Sequence, residues 1–279
     1  MTDGTPIRTD VRPPDTSGGD GDGAATAARR AERAAPDEAR REGLAAAHAA
    51  EPNLLLRSLP PAEYEHLLVR LTPTRLRLKQ VLVEPNEPIT HVWFVREGVG
   101  SMIATEQEGG DIEVGTVGRE GLVGLPVVLG TDFTPNRVIV QVEGDAWRIP
   151  ADDFRRVLDE RPAVRRVCLR FAQFFTDQLS QSVACNRLHT LEERCARWLL
   201  MTHDRVHGDV FELTHEFLAL MLGVRRAGVS VAMGTLQNAG TIRYVRGRVQ
   251  VLDRERLEQS SCGCYAITRA SLDRLFGPA

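Results

Sequence analysis

The sequence of 279 residues predicts an α+β fold in three parts: an antiparallel all-β domain, a long helix, and a C-terminal unit of two short helices and a hairpin. Three observations support this order. Short apolar runs separated by Gly and Pro fill residues 72–150, helical periodicity without Gly or Pro follows over 163–186, and a glycine joins two short helical patterns at position 223. A chain of this length can bury two modest cores.

The first fifty residues are predicted to be a disordered tail. Their first half is rich in Gly, Pro, Asp and Thr, and their second half is helix-forming but apolar mainly through alanine, with an interruption at Pro36. The acidic start lacks the apolar stretch of a signal peptide, and the chain has no run of about eighteen apolar residues that could cross a membrane. We therefore expect a cytoplasmic protein without a membrane partner.

Residues 51–160 are expected to form the β-rich domain. A helical turn near Asn53 and a helix from Pro61 come before the strands. The strands are short and recur at intervals of about ten residues between suitable turns, which is typical of an antiparallel sandwich or barrel. The predicted strands are 76–83, 92–96, 100–105, 112–117, 137–142 and 145–149.

A long helix is predicted over 161–187, after a short helix at 151–160. Its apolar residues recur at helical spacing, so the stripe must pack on a partner. The stripe can lie on the chain's own β-domain, or its phenylalanines can form a helix pair with a second copy. We expect the second arrangement, a homodimer. The stripe consists of Val164, Val167, Phe171, Phe174, Phe175, Leu179 and Val183.

Residues 188–253 are predicted to form a winged helix-turn-helix. Thr214 is a suitable N-cap for the first of two short helices, and Gly223 suits the left-handed residue that ends it. A second helix begins near Arg225 and stops near residue 239. The two helices and their tight turn describe a helix-turn-helix, and the hairpin at 241–252 around Arg246-Gly247 is its wing.

The distribution of charge indicates DNA as the partner of this unit. The net charge is −3, yet residues 222–250 contain five arginines and no Asp or Glu. Side chains at the start of the second helix are candidates for reading bases, and those at the hairpin tip are candidates for phosphate contacts. The predicted DNA-binding residues are Arg225, Arg226 and Ser230 on the helix, Arg246 and Arg248 on the wing, and Thr214.

On these motifs the chain resembles the Crp/Fnr family of transcription regulators. The stretch LTHEFLALMLGVRRAGVS (213–230) is similar to that family's helix-turn-helix signature, and Glu97-Gly98 resembles part of its β-roll. The resemblance covers about 53–253. It implies a jelly-roll-like, cyclic-nucleotide-binding-like sensor β-roll (51–160), a dimerisation helix and a DNA-binding domain. It also implies a homodimer on a palindromic operator in double-stranded DNA, with RNA polymerase as a further partner.

The chain departs from this family's pattern in the β-roll. Members that hold a cyclic nucleotide have Gly-Glu followed by Arg-Ser, whereas the matching stretches here read VGLP (123–126) and PNRV (135–138). Leu125 replaces the ribose-binding carboxylate. Arg137 is displaced by one position, which in a strand turns it to the opposite face. We therefore expect no cyclic AMP binding of the usual kind, and the effector remains unassigned.

A second departure lies in the recognition helix, where Ala227 and Val231 replace a glutamate and an arginine that read bases in other members. The base code must therefore differ. The alternative function is a small-molecule or redox sensor whose winged domain is a protein-interaction module. No enzyme is expected, since the sequence has no nucleophile elbow, phosphate loop or metalloprotease motif.

The cysteines form no disulfide-scaffold pattern, and we expect reduced thiols packed against helices, with no metal and no cofactor. The amino-terminal cysteines of the family's iron–sulfur sensors are missing, which excludes that cluster. A four-thiolate site would require the C-terminal extension (254–279) to meet the hinge before the winged domain. His189, His203, His207 and His215 show no metal-like pairing. The five cysteines are Cys168, Cys185, Cys195, Cys262 and Cys264.

Overall fold

The computed structural model describes residue 1, residues 40–105 and residues 110–277. The predicted tail lies outside the described residues over 2–39, and residues 40–49 form a helix, α1. The chain divides into two units, 1–46 and 47–279, and the elements that follow α1 all belong to the second.

The β-domain consists of two four-stranded antiparallel sheets that share one hydrophobic core. Their strand orders are β1-β8-β3-β6 and β2-β7-β4-β5. Five of the six predicted strands are present to within one residue at each end. The strands are β1 (Thr72–Leu76), β2 (Val81–Val83), β3 (His91–Val95), β4 (Val99–Thr105), β5 (Asp111–Val117), β6 (Leu122–Val123), β7 (Arg137–Val142) and β8 (Gly144–Pro150).

The prediction of one strand over 76–83 is wrong. Lys79 has a φ of 64°, so the backbone turns between β1 and β2, and the two strands belong to different sheets. The β-domain also contains three short helices, two before the first strand and one between β6 and β7. They are α2 (Leu54–Arg57), α3 (Pro61–Leu68) and α4 (Leu125–Val128).

The long helix α6 (Pro162–Leu188) follows α5 (Ala151–Glu160), close to the predicted bounds. Its three phenylalanines are at most 3% exposed and belong to the β-domain core, so the stripe packs on the chain's own β-domain, except for Val183, which is 73% exposed. A Cβ at Gly121 would lie 2.0 Å from the ring of Phe171, so the close approach requires glycine there. The phenylalanines are therefore not the surface that a second copy would meet.

A second hydrophobic core lies mainly within the C-terminal unit and also includes Ile103 of β4. Helix α7 (Leu191–His203) starts with a capping box between Thr190 and Glu193, which satisfies the first backbone donors. Strand β9 pairs with the hairpin to give the sheet order β10-β11-β9. The remaining elements are β9 (Val210–Glu212), α8 (His215–Leu222), α9 (Arg226–Asn238), β10 (Ile242–Val245), β11 (Arg248–Val251), α10 (Arg254–Gln259) and α11 (Cys264–Phe276).

The C-terminal extension folds back onto the rest of the unit. Helix α11 packs against α6 and α7. Asp204 accepts hydrogen bonds from Arg254 Nη2 at 2.6 Å and from the Tyr265 hydroxyl at 3.1 Å. Because Asp204 is the C-cap residue of α7, these bonds fasten the extension to the end of α7.

Among the described residues, no single helix is long and apolar enough to cross a membrane. The pair α8 and α9 passes the same test by length and composition, but the pair is bent by 107°.

Candidate nucleic-acid interface

The two helices α8 and α9 meet at the angle and turn expected of a helix-turn-helix. The Thr214 hydroxyl caps α8 by accepting a hydrogen bond from the Phe217 amide at 3.1 Å. Gly223 ends α8 with a φ of 62°, and the chain then turns into α9. On α9, Val229 and Leu236 are at most 2% exposed. That buried face sets which residues α9 presents to solvent.

The exposed surface at the start of α9 carries all three predicted base readers and extends to residues that were not among the predicted DNA contacts. Arg225 is the N-cap residue, and Arg226 is the first helical residue; both are exposed. The Arg226 Nε lies 2.6 Å from Oε1 of Glu216 in the first turn of α8. The exposed surface continues through Ala227, Val231 and Thr235. Ala227, Val231 and Thr235 are four positions apart, so their spacing in the sequence already indicates that they share one face of the helix.

Ser230, the third predicted base reader, is exposed but engaged within the protein. Its Oγ lies 2.9 Å from Nδ1 of His215 and donates to the Arg226 carbonyl at 3.2 Å. Burial, followed by the charge of Arg226, lowers the pKa of His215, which favours its neutral form. Ser230 therefore links α8 to α9 as well as facing outward.

The wing is a tight hairpin whose tip carries an arginine. Arg246 has a φ of 48° and Gly247 a φ of 80°, and two successive left-handed residues define a type I′ turn. The side chains of Arg246 and Arg248 are exposed, and Arg248 Nη2 lies 3.5 Å from Glu212 Oε1. Arg243 on β10 is exposed too and was not among the predicted contacts.

Two contacts hold the wing against the helices. The His215 ring stacks on Tyr244 with 4.3 Å between ring centroids. The Tyr244 amide donates to Oε1 of Gln237 near the end of α9 at 2.8 Å. These contacts fix the wing relative to α8 and α9, so the arginines of the wing and of α9 lie on one surface of the folded unit.

The β-roll contains an apolar cavity between α4, the sheets and α6. Phe171 and Phe175 of α6 and Leu125 of α4 contribute to its wall, and Thr134 is the polar side chain among its described lining residues. Arg137 does not line the cavity: its Nε lies 3.1 Å from Glu84 Oε2, and both side chains are 42% exposed. A cyclic nucleotide carries a ribose and an anionic phosphate, and these residues offer neither group a charged partner.

The structure brings the two cysteine-containing regions together. Cys185, Cys262 and Cys264 lie side by side at the end of α6, and His189 is the fourth residue of the group. The sequence shows no metal-like pairing for His189. Its proximity to the cysteines depends on how α11 folds back, which no local pattern reports.

Two family models match the chain and together cover more than half of it. A cyclic nucleotide-binding domain matches residues 73–161, and a Crp-like helix-turn-helix domain matches residues 193–260. A comparison with curated proteins finds no match.

Solved structures of the same two-domain fold are similar to this chain. FixK2 from Bradyrhizobium japonicum has 16% identity and a TM-score of 0.59, covering 69% of this chain and 98% of its own. TTHB099, a CRP-family transcriptional regulator from Thermus thermophilus, has 21% identity and a TM-score of 0.56, and the match covers 67% of this chain and 96% of TTHB099. CLP, a c-di-GMP-responsive global regulator from Xanthomonas campestris, has 14% identity and a TM-score of 0.54, and the match covers 69% of this chain and 99% of CLP.

Proposed function

The chain belongs to the Crp/Fnr family, and we propose that it is a transcription regulator that binds operator DNA sequence-specifically as a homodimer. The observation that carries the proposal is the cluster of exposed arginines on α9 and the wing, within a helix-turn-helix of the family's type. Binding to chromosomal DNA would place the protein in the cytoplasm. Contact with RNA polymerase is part of the same proposal.

Different residues of this surface would have different roles. Arg225 and Arg226 stand at the N-terminal end of α9, the end that enters the major groove in helix-turn-helix proteins. A bidentate arginine contact to guanine contributes about 1–3 kcal/mol of base discrimination. Val231 is 65% exposed on the same face and fits apolar contact with a thymine methyl. Arg246 and Arg248 would hold backbone phosphates, and Thr214 would help to position α8.

Dimerisation would use the exposed side of α6, because the phenylalanines are buried in their own chain. Leu169 is 46% exposed and Val183 is 73% exposed, and the two lie fourteen positions apart, four helical turns. Thr176 and Ser180 are exposed between them. This row of small and apolar residues is suited to close packing against the same row of a second copy.

The β-roll would act as a sensor that does not hold cyclic AMP in the usual way. Leu125 stands where a carboxylate would bind ribose, and Arg137 is paired with Glu84 outside the cavity. The apolar lining disfavours an anionic ligand, since a buried phosphate without a charged partner is strongly disfavoured.

Selection of bound sequences from a random DNA pool, followed by binding assays at several salt concentrations, tests the proposal. We expect a palindromic site whose half-sites are about one helical turn apart, with an affinity that falls steeply with salt. If the chain enriches no sequence and associates with DNA only weakly at low salt, the alternative of a sensor with a protein-interaction module is favoured instead.

A further inference from the structure

Four side chains with metal-binding atoms meet where α6 ends. Cys185 lies in the last turn of α6, His189 is its C-cap residue, and Cys262 and Cys264 lie at the start of α11. Cys185 Sγ is 3.5 Å from Cys262 Sγ, and Cys264 Sγ is 3.5 Å from His189 Nδ1. All four donor atoms lie within 4.8 Å of one another.

We propose that Cys185, His189, Cys262 and Cys264 together bind one divalent ion of the zinc class in tetrahedral geometry. Zinc bound about 2.3 Å from sulfur and about 2.0–2.1 Å from nitrogen holds its tetrahedral ligand atoms roughly 3.5–3.8 Å apart. The two 3.5 Å separations match this range, so small side-chain shifts suffice to complete the site. Three thiolates and one imidazole are also a donor set that zinc prefers.

The local sequence places each pair of ligands suitably. Cys185 and His189 are four positions apart at the end of α6, so both face the same side of the helix. Cys262 and Cys264 are separated by Gly263, the N-cap residue of α11, so both thiols lie at the start of the helix that packs against α6. Three of the four ligand residues are buried, and His189 is partly buried.

The surroundings supply hydrogen bonds and charge that a thiolate site requires. The Gln181 side-chain amide donates to Cys264 Sγ at 2.9 Å. Arg197 is 8% exposed, and in the described part of the chain its Nε has no hydrogen-bond partner. Arg197 and Cys185 line the same cavity. Three thiolates and one divalent ion carry a net charge of about −1, and a buried guanidinium beside them offsets it.

The spacing favours a single ion over an iron–sulfur cluster. An iron–sulfur cluster contains several irons, and ligands bound to different irons are held farther apart than the 4.8 Å within which all four donor atoms lie here. A disulfide between Cys185 and Cys262 would use two of the four residues and would leave Cys264 and His189 unexplained. One ion accounts for all four.

The ion would join two segments that are 77 residues apart in sequence, Cys185 and Cys262. It would fasten the C-terminal extension to the end of α6, immediately before the hinge that leads to α7. This consequence does not depend on the DNA-binding proposal, because it concerns metal content and stability.

Elemental analysis and cobalt titration of the full chain test the site. We expect about one zinc-class ion per chain after purification under reducing conditions. Chelator-treated protein should take up one Co²⁺ and develop the visible absorption bands of tetrahedral thiolate coordination. A chelator should lower the melting temperature of the native protein.

Variants separate the site from general effects on folding. Cys262→Ala, Cys264→Ala and His189→Ala should each abolish stoichiometric cobalt binding and the chelator's effect on melting. Cys195→Ala is the matched control, because Cys195 is 0% exposed and lies outside the group. This variant should keep both stoichiometric cobalt binding and the chelator's effect on melting. Gln181→Ala should weaken cobalt affinity by about 10–100-fold while preserving the absorption bands.

Several results would overturn the proposal. They are a chelator-treated protein of unchanged sequence that takes up no cobalt, iron with acid-labile sulfide in place of a single ion, a Cys185–Cys262 disulfide that persists under reducing conditions, and a Cys195→Ala variant that loses metal as completely as Cys262→Ala.

Discussion

The Arg205 guanidinium and the Glu120 carboxylate form an ion pair that joins the winged unit to the β-roll. Arg205 Nη2 lies 2.7 Å from Glu120 Oε1, and the side chains are 6% and 3% exposed. Glu120 Oε1 also accepts a hydrogen bond from the Gly118 amide at 3.0 Å, and Arg205 Nη1 donates to the Met201 carbonyl at 2.6 Å. The pair therefore orders the turn before β6 as well as the segment after α7.

Replacing one member of this pair should destabilise the protein strongly. In Glu120→Gln the Arg205 charge stays buried without its counter-charge, so we expect the free energy of unfolding to fall by about 3–5 kcal/mol. Urea denaturation measures the change. Asp145→Asn removes one of the two carboxylate partners of Arg75, in a pair whose side chains are 57% and 48% exposed, and it should cost under about 1 kcal/mol. Equal losses for the two variants would contradict the expectation.

Arg226 is predicted to read a base, and Glu216 competes for it. Arg226→Ala should reduce discrimination between the selected operator and its single-base variants by about 1–3 kcal/mol at one position per half-site. Glu216→Gln removes the carboxylate 2.6 Å from Arg226 Nε and should tighten binding. Competition binding with a panel of mutated operators provides the measurement. An unchanged ranking of sites in Arg226→Ala would show that this residue reads no base.

The wing arginines are predicted to contact phosphates. Arg246→Ala should weaken binding to all sequences alike and lower the slope of log affinity against log salt by about one. Fluorescence anisotropy at several salt concentrations reports both quantities. Arg156→Ala on α5, an exposed arginine paired with Asp153, serves as the control and should leave the slope unchanged. A sequence-dependent effect of Arg246→Ala would assign it to base reading instead.

Glu113 should make stability depend on pH. Burial raises its pKa to about 7, although Ser101 and Trp198 donate hydrogen bonds to its carboxylate at 2.6 and 2.9 Å. The folded state therefore binds this proton more tightly than the unfolded state. Its stabilising contribution is complete below the ordinary pKa of 4.5 and is lost as pH rises through about 7.

The Glu113→Gln variant isolates this effect from the other titrating groups. Between about pH 5 and 8 the unfolding free energy of the native protein should fall relative to that of the variant. Denaturation curves of both proteins at matched pH values give the difference. Two outcomes would contradict the raised pKa of Glu113. One is a difference in unfolding free energy that does not change with pH, and the other is a native protein that becomes more stable relative to the variant as pH rises.

Local patterns predicted the strands, the long helix and the helix-turn-helix, because each depends on periodicity and turn chemistry over a few residues. Thr214 caps α8 and Gly223 ends it, and both signals are visible in the sequence. The division of the strand at Lys79 was missed, since a lysine gives no sign that its φ will be positive. The expectation that the phenylalanines of α6 pair with a second copy was wrong, because an apolar stripe does not specify what covers it.

The sequence by itself determined the order of the domains and the surface that carries the arginines, because helix caps, hairpin turns and charge runs are short-range features. Tertiary structure alone decided that Arg205 meets Glu120 and that Cys185 and His189 meet Cys262 and Cys264. Such contacts join residues far apart in the chain, and their distances depend on how whole helices pack. No local pattern of residues reports that packing.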